Sequence, residues 1–389
     1  MSKKNNSAGN KKSKKKIFGK LLAGIITVAL LAGSCYVVWY FVQRGRNSMQ
    51  NYNSTQNATE TTNPSDVELQ HSTLQYEMPP LSSDNGSDGY LDGAVYIWNN
   101  KGFEIFKGTI SDAKAYANSV SNYQKLLGDD YKLYSVVVPT SVEIALPERL
   151  SKTVSNNQKE NISTIFSQLS IDVTPVDVYS VLGENRNKDL YYSTDKYWTQ
   201  QGAYYAYTAL AEKLGVQAVD ISDFNAVTLE DNLLGSHISA TISKETVNGN
   251  PMLINNPDVV TYYSLADSVT VKALPQGGEE LEELEYYNSD ISSGDSPLDI
   301  YNTTDCAYTV LTNKDIEDGQ VAIITDKFGY GVAPFLTENF NKVHLIDIDN
   351  FQRNLTNYLE DNKISNVVYI NGIMSANTAA KIEKMDAMY

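Results

Sequence analysis

The chain has 389 residues and a mass of 43.1 kDa, room for two average domains or for one large α/β domain with a tail. With 42% hydrophobic and 20% charged residues it is neither a wholly disordered chain nor a many-span membrane protein. Residues 1–46 carry eight Lys and two Arg and no acid, while the remainder carries 21 basic against 47 acidic side chains, an imbalance that would repel phosphate backbones and excludes a nucleic-acid partner.

Residues 1–20 read as a basic cytoplasmic tail suited to an anionic membrane surface. Residues 21–42 form an uncharged run of the length a helix needs to cross hydrocarbon. The lysines before it put the N-terminus inside and the C-terminal body outside a bacterial cell membrane, a single-pass arrangement. The run ends in bulky residues rather than the small ones of a cleavage site, which favours an uncleaved anchor; cleavage, or lipidation at Cys35, stays open. Residues 43–88, rich in Asn, Ser, Thr and Gln, read as a flexible polar stalk that includes a solvated His71.

From residue 89 the pattern is that of a folded domain running to 389. A hairpin is expected over 94–106 with its turn at Asn99-Asn100-Lys101-Gly102, then a helix over 111–127 stopped by Gly128. Residues 133–138 read as a buried strand, 156–169 as a helix, and 171–173 and 176–178 as short β pieces. Thr199 caps a helix that runs to Leu214 and closes at Gly215. Residues 230–305 are polar and read as a strand-rich insertion with an exposed acidic loop at 279–285. Strand 321–324, helix 332–340 and strand 343–348 form a βαβ unit, and 366–370 adds a further strand, so the sheet is parallel.

Two turns draw attention. Ligands gather at the carboxyl ends of parallel strands, and strand 321–324 ends in Thr325-Asp326-Lys327-Phe328-Gly329. The second is Thr194-Asp195-Lys196-Tyr197-Trp198-Thr199, entering the helix that follows. Cys35 and Cys306 make no ligand cluster, and only His71, His237 and His344 are present, so neither a metal nor a cofactor is expected. His344 reads as structural and His237 as the maker of a loop hydrogen bond. Ser111-x-x-Lys114 matches a penicillin-binding motif by chance, and Gly329-Tyr330-Gly331 lacks the third glycine of a dinucleotide loop. The tyrosines at 204, 205 and 207 are core by spacing, or, with Trp198, a sugar-stacking face.

Residues 192–207 (Tyr-Ser-Thr-Asp-Lys-Tyr-Trp-Thr-Gln-Gln-Gly-Ala-Tyr-Tyr-Ala-Tyr) resemble the signature of bacterial DHHW proteins. These are similar to SGNH-type O-acetyltransferase and esterase domains acting on exopolysaccharides such as alginate. Val138-Pro139-Thr140-Ser141-Val142-Glu143-Ile144 and Pro334-Phe335-Leu336-Thr337-Glu338 support the resemblance, which extends from about residue 90 to the C-terminus. It implies an SGNH-like, flavodoxin-like parallel sheet flanked by helices. It also implies a setting in cell-envelope or exopolysaccharide O-acetylation, often beside a multispanning membrane acyltransferase. The departures are chemical. The family's Asp-His-His-Trp is Asp195-Lys196-Tyr197-Trp198 here, and its Asp-Ser-Phe turn is Asp326-Lys327-Phe328. Tyrosine is a poor base at neutral pH, and position 327 carries no hydroxyl. The expectation is a degenerate site in which Lys327 pairs with Asp195, and a non-catalytic module that binds an envelope polysaccharide or a partner. A divergent O-acetyltransferase or acetylesterase using other residues is the alternative.

Overall fold

The computed structural model describes residues 71–242, 249–288, 290–292 and 295–389. The basic tail, the apolar run 21–42 with Cys35, and the stalk up to residue 70 lie outside the described residues. Among the described residues no helix is long and apolar enough to cross a membrane.

The body is a mixed α/β domain. Its first sheet is β1 (Tyr90–Asp92), β2 (Val95–Trp98) and β3 (Lys101–Glu104), all antiparallel. Asn99 and Asn100 both take positive φ, 48° and 60°, which makes the two-residue turn whose twist matches the strands. Helix α1 (Ile110–Leu127) starts at a capping box of Thr109 and Asp112 and stops at Gly128, φ 79°. Strand β4 (Lys132–Val138) leads to one-turn α2 (Ser141–Ile144), α3 (Glu148–Val154) and α4 (Gln158–Gln168). Strand β5 (Val173–Val176) follows; residues 171 and 172 belong to the turn before it, and Val178 already opens α5 (Val178–Glu184). Helix α6 (Gln200–Leu214) is capped by Thr199 and closed by Gly215 in the left-handed conformation, as the sequence predicts.

The region 230–305 is not one separate insertion. Strands β6 (Ala226–Leu233) and β7 (Asp258–Tyr263) form a two-stranded ribbon, with the single-turn helices α7 (His237–Ala240) and α8 (Pro251–Ile254) between them. By contrast β8 (Val269–Pro275) and β9 (Glu282–Glu283) join the main sheet. Then come β10 (Cys306–Asn313), β11 (Gln320–Thr325), α9 (Gly329–Leu336), β12 (Lys342–Asp347), α10 (Leu355–Asn362), β13 (Asn366–Gly372), α11 (Ile373–Ala376) and α12 (Ala379–Asp386).

The main sheet has eight strands in the order β5-β4-β13-β11-β12-β10-β8-β9. Its first five are parallel and its last three antiparallel, so the sheet is mostly, not wholly, parallel. The flavodoxin order is 2-1-3-4-5; here the fifth parallel strand, β13, lies between the first and the third. Alternation along β11 feeds two cores. Val321 and Ile323 face α6 and α9 with Tyr207 and Phe335, whereas Ala322 and Ile324 face α1, α4 and α10 with Tyr116, Ile165 and Leu359.

The stalk's last part is bound to the domain. Leu74 and Leu81 are buried, His71 Nε2 lies 3.0 Å from the Ser170 carbonyl, and Arg149 reaches Asp84 at 2.9 Å. The two leucines give this otherwise polar segment enough apolar area to hold it down. A chain beginning at Gly89 therefore unfolds at lower urea than one beginning at His71, by about 2–4 kcal/mol for the two lost leucine anchors. Paired urea titrations followed by circular dichroism measure the difference.

Candidate functional site

The parallel strands end in a cleft of about 240 Å³. Thr140 follows β4, Asp326, Lys327 and Phe328 follow β11, Asp349 follows β12, and Gly372 to Ser375 follow β13. Glu104 at the end of β3 and Lys196 and Tyr197 close it from above. The two turns singled out in the sequence thus meet in one place, 130 residues apart in the chain.

Trp198 holds them together. It is buried, its Nε1 donates to the Phe328 carbonyl at 3.1 Å, and its ring meets the Phe328 ring edge-on at 5.2 Å. Gly331 in α9 lets that helix approach α6, since an added Cβ would stand 2.8 Å from the Ala203 Cβ.

Lys327 does not pair with Asp195. Its Nζ bonds to Asp347 Oδ2 at 2.6 Å and to the Thr304 carbonyl, and sits 5.5 Å from the centre of the Tyr330 ring. Tyr330 also donates its hydroxyl to Asp347 at 3.2 Å. The Asp347 side chain is fully buried and the lysine's is 16% exposed. Burial raises the Asp347 carboxyl, and Lys327 opposes that shift. Lys327 has φ 118°, a conformation L residues rarely adopt, at the position where the family resemblance places a nucleophile.

Asp195 is satisfied otherwise. Its carboxylate accepts from the Tyr197 amide at 3.1 Å, the Ser236 amide at 2.7 Å and the Ser296 hydroxyl at 3.2 Å. Gly235 packs so closely that any Cβ there would fall 2.3 Å from the Asp195 Cβ. Asp258 of β7 clamps the preceding residue, accepting from the Thr194 amide at 2.8 Å. His237 is buried beside this loop, its amide bound to the Thr194 carbonyl; its Nε2 has no hydrogen-bond partner among the described residues. Burial lowers the imidazole to about 4, against the pull of Asp195. His237 therefore makes no side-chain loop bond through Nε2 and does not line the cleft. His344 is structural: Nδ1 meets the Tyr358 hydroxyl at 2.8 Å and Nε2 meets Gln320 at 3.0 Å.

The cleft's own acids are Asp326, Glu104 and Asp349. Burial pushes Asp326 up to about 6, opposed by Ser375 and by the Gly372 and Phe328 amides. Burial also raises Glu104, with Lys196 opposing. Asp349 is held below the usual range by Lys381 and Lys384, against its burial. Tyr197 packs on Phe328 at 5.1 Å beneath Lys196, and burial, then Asp326 and Asp195, push its hydroxyl far above the ordinary value, so it cannot serve as a base.

The sugar-stacking face does not exist as drawn. Trp198, Tyr204 and Tyr207 are buried. The hydroxyl of Tyr207 bonds Asn339 at 2.8 Å and that of Tyr204 accepts from Ile221 at 3.1 Å, because α6 is covered by α9 and the residue 216–224 loop. Tyr205 is half-buried under Lys188, away from the cleft. Ser111 and Lys114 are exposed on α1 and face no cleft. Among the described residues no group of three His, Cys, Asp or Glu is placed to hold a metal. Glu104, Ser375, Lys381 and Asp347 escaped the sequence reading; only Asp347, at the carboxyl end of an expected strand, carried a usable signal.

The arrangement defines an α/β domain with a cleft at the carboxyl ends of its parallel strands, whose lining carries one serine and no histidine. The model of the DHHW proteins matches residues 46–346, more than half the chain, and the chain belongs to the DHHW family. In fold it is similar to a DHHW family protein from Eubacterium siraeum DSM 15702, with 21% identity, a TM-score of 0.68, and coverage of 77% of this chain and 97% of that one. It is also similar to PatB1 of Bacillus cereus, solved with a sulfonyl adduct, at 15% identity and a TM-score of 0.60, covering 74% and 98%. The O-acetyltransferase domain of Pseudomonas putida AlgJ is more distant, at 13% identity, a TM-score of 0.44, and coverage of 76% and 100%. Comparison with curated protein sequences returns no match.

The Asp326 carboxyl has a pH signature. Its folded-state value, about 6, lies above the unfolded one, so the folded chain holds the extra proton between about pH 4 and 6. Stability falls as pH rises through that window, and the cost persists above it. Asp326→Asn keeps an acceptor for the Gly372 amide and is expected to stabilise the protein by about 2 kcal/mol at pH 8, with the gain vanishing near pH 4. Urea midpoints of the two proteins across pH 4–8 read it out.

Proposed function

We propose that this DHHW protein is a catalytically silent, SGNH-like module of cell-envelope or exopolysaccharide O-acetylation, anchored through residues 21–42 with its C-terminal domain extracytoplasmic. In this reading it holds an acylated envelope polysaccharide in the cleft, near a multispanning acyltransferase, while the basic tail meets the anionic inner surface. The observation that carries the proposal is the Lys327–Asp347 pair. At the nucleophile's place stands an ammonium bound to a buried carboxylate, with no lone pair to offer. The base's place is held by Tyr197, whose hydroxyl is pushed far above the ordinary value. Phe328, Ile373 and Met374 leave an apolar wall for an acyl group, and Glu104, Asp326 and Lys196 face it as partners for sugar hydroxyls. The likeness in fold to PatB1 supports the setting.

The test is hydrolysis of an aryl acetate by the full chain, where the wild type is expected to show no turnover above background. Lys327→Ser alone strands Asp347 without its cation and is expected to destabilise the fold by about 3–5 kcal/mol. Reconstruction therefore uses Tyr197→His with Lys327→Ser and Asp347→Asn, and this triple variant is expected to gain measurable turnover. Wild-type turnover would sink the silent reading.

A second reading is a divergent acetyltransferase or acetylesterase, favoured by the Ser375 side chain lining the same cleft as the raised Asp326 carboxyl. There Ser375 Oγ would attack the acyl carbonyl while Asp326 takes its proton, then returns it to the departing sugar oxygen. Wild-type turnover that survives Lys327→Ala combined with Asp347→Asn and is lost in Ser375→Ala, with a pH profile rising near 6, would establish it.

A further inference from the structure

A second, larger cleft of about 520 Å³ lies beyond α2, and it shares no lining residue with the first. One wall is the docked N-terminal segment at Glu77 and Met78; the others are α3, the loop at 155–157 and the start of α5. Its charges cancel. The lining carries three acids and three bases, and on the rim Glu77 pairs with Lys159 and Glu148 with Lys152.

The floor is built by two residues. Arg186 is 4% exposed and spends three N–H groups on backbone carbonyls: Ile144 at 2.8 Å, Pro79 at 2.7 Å and Leu146 at 3.0 Å. Glu143 accepts from the Tyr179 hydroxyl at 2.7 Å through one oxygen, and its other oxygen has no hydrogen-bond partner among the described residues. Each charge restricts the ligand. A ligand cation at Glu143 would meet the field of Arg186, and a ligand anion would meet Glu143 with Arg186 already engaged on carbonyls. A hydroxyl suits both, since it donates to the carboxylate and brings no charge. The amides of Asn156 and Asn157 at the mouth add neutral hydrogen-bonding groups, and the volume lies within the range of small-ligand pockets.

We infer that this cleft is a binding site for uncharged, hydroxyl-rich ligands, specifically neutral oligosaccharides, separate from the cleft at the strand ends. The site stands on its own geometry, so it survives or fails apart from the function proposed for the strand-end cleft.

Calorimetric titration of the full chain tests it with a panel of neutral hexose and N-acetylhexosamine hexamers, beside uronic-acid hexamers as the charged contrast. At least one neutral oligomer is expected to bind at millimolar concentration or below, and uronates more weakly. Glu143→Gln keeps an acceptor for Tyr179 but loses the charged one, and is expected to weaken binding about tenfold. Asn156→Trp, at an exposed position in the lining, is expected to block the mouth with a similar loss. Lys114→Ala, exposed on α1 and lining neither cleft, is expected to leave this affinity unchanged, while Lys196→Ala and Asp326→Asn report whether the binding belongs to the strand-end cleft instead. Absence of binding by every neutral oligomer, preference for uronates, or binding unaltered in Asn156→Trp overturns the inference. Binding lost only in the strand-end variants overturns it too, while supporting a glycan in that other cleft.

Discussion

A carboxylate sealed from water at the end of β12 needs a cation, and Lys327 supplies it. Removing two charges from water is costly, and the pair is tolerated because both ends have further partners: the Thr304 carbonyl for the amine, the Tyr330 hydroxyl and the Asp349 and Asn350 amides for the carboxylate. The contact joins the loop before β10, the turn after β11 and the end of β12. It explains why Lys327 holds a strained φ: the side chain staples the turn to its neighbours.

Around this staple, backbone contacts order the two turns that line the cleft. Trp198 still fixes the Phe328 carbonyl, Asp195 still accepts from its own turn, and Thr199 still caps α6. These interactions order backbone, so their value does not depend on chemistry being performed. The charged groups facing the cleft without an ion-pair partner among the described residues are Glu104, Asp326 and Lys196, the last over a tyrosine ring, and they are suited to hydrogen bonding a ligand. Burial, more than neighbouring charge, sets the protonation of Asp326 and Glu104.

Among the described residues, several buried tyrosines follow one physical rule. A buried phenol brings large apolar area and one hydroxyl that needs a partner. Tyr191 bonds the Pro139 carbonyl, Tyr207 bonds Asn339, and Tyr286 bonds the Tyr330 carbonyl. Such hydroxyls stitch loops to helices deep in the fold, which is why a row of tyrosines on α6 is core rather than a platform for sugar.

Much of the local structure was legible in the sequence, because its causes are local. The Asn99-Asn100 turn, the Thr109 and Thr199 caps, the Gly128 and Gly215 stops and the β11–α9–β12 unit each depend on residues within a few positions of one another. The departures of Lys196-Tyr197 and Lys327 from the family's motifs were likewise written in residue types. What only the tertiary structure decided are matters of distance across the fold. Asp195, Asp326 and Asp347 were all available to Lys327, and which one it meets depends on how β11 and β12 register and how far the turn rotates. The docking of residues 71–88, the entry of β8 into the main sheet and the burial of Tyr204 and Tyr207 are of the same kind. Each depends on surface that exists only once other elements are in place, and no spacing along the chain encodes it.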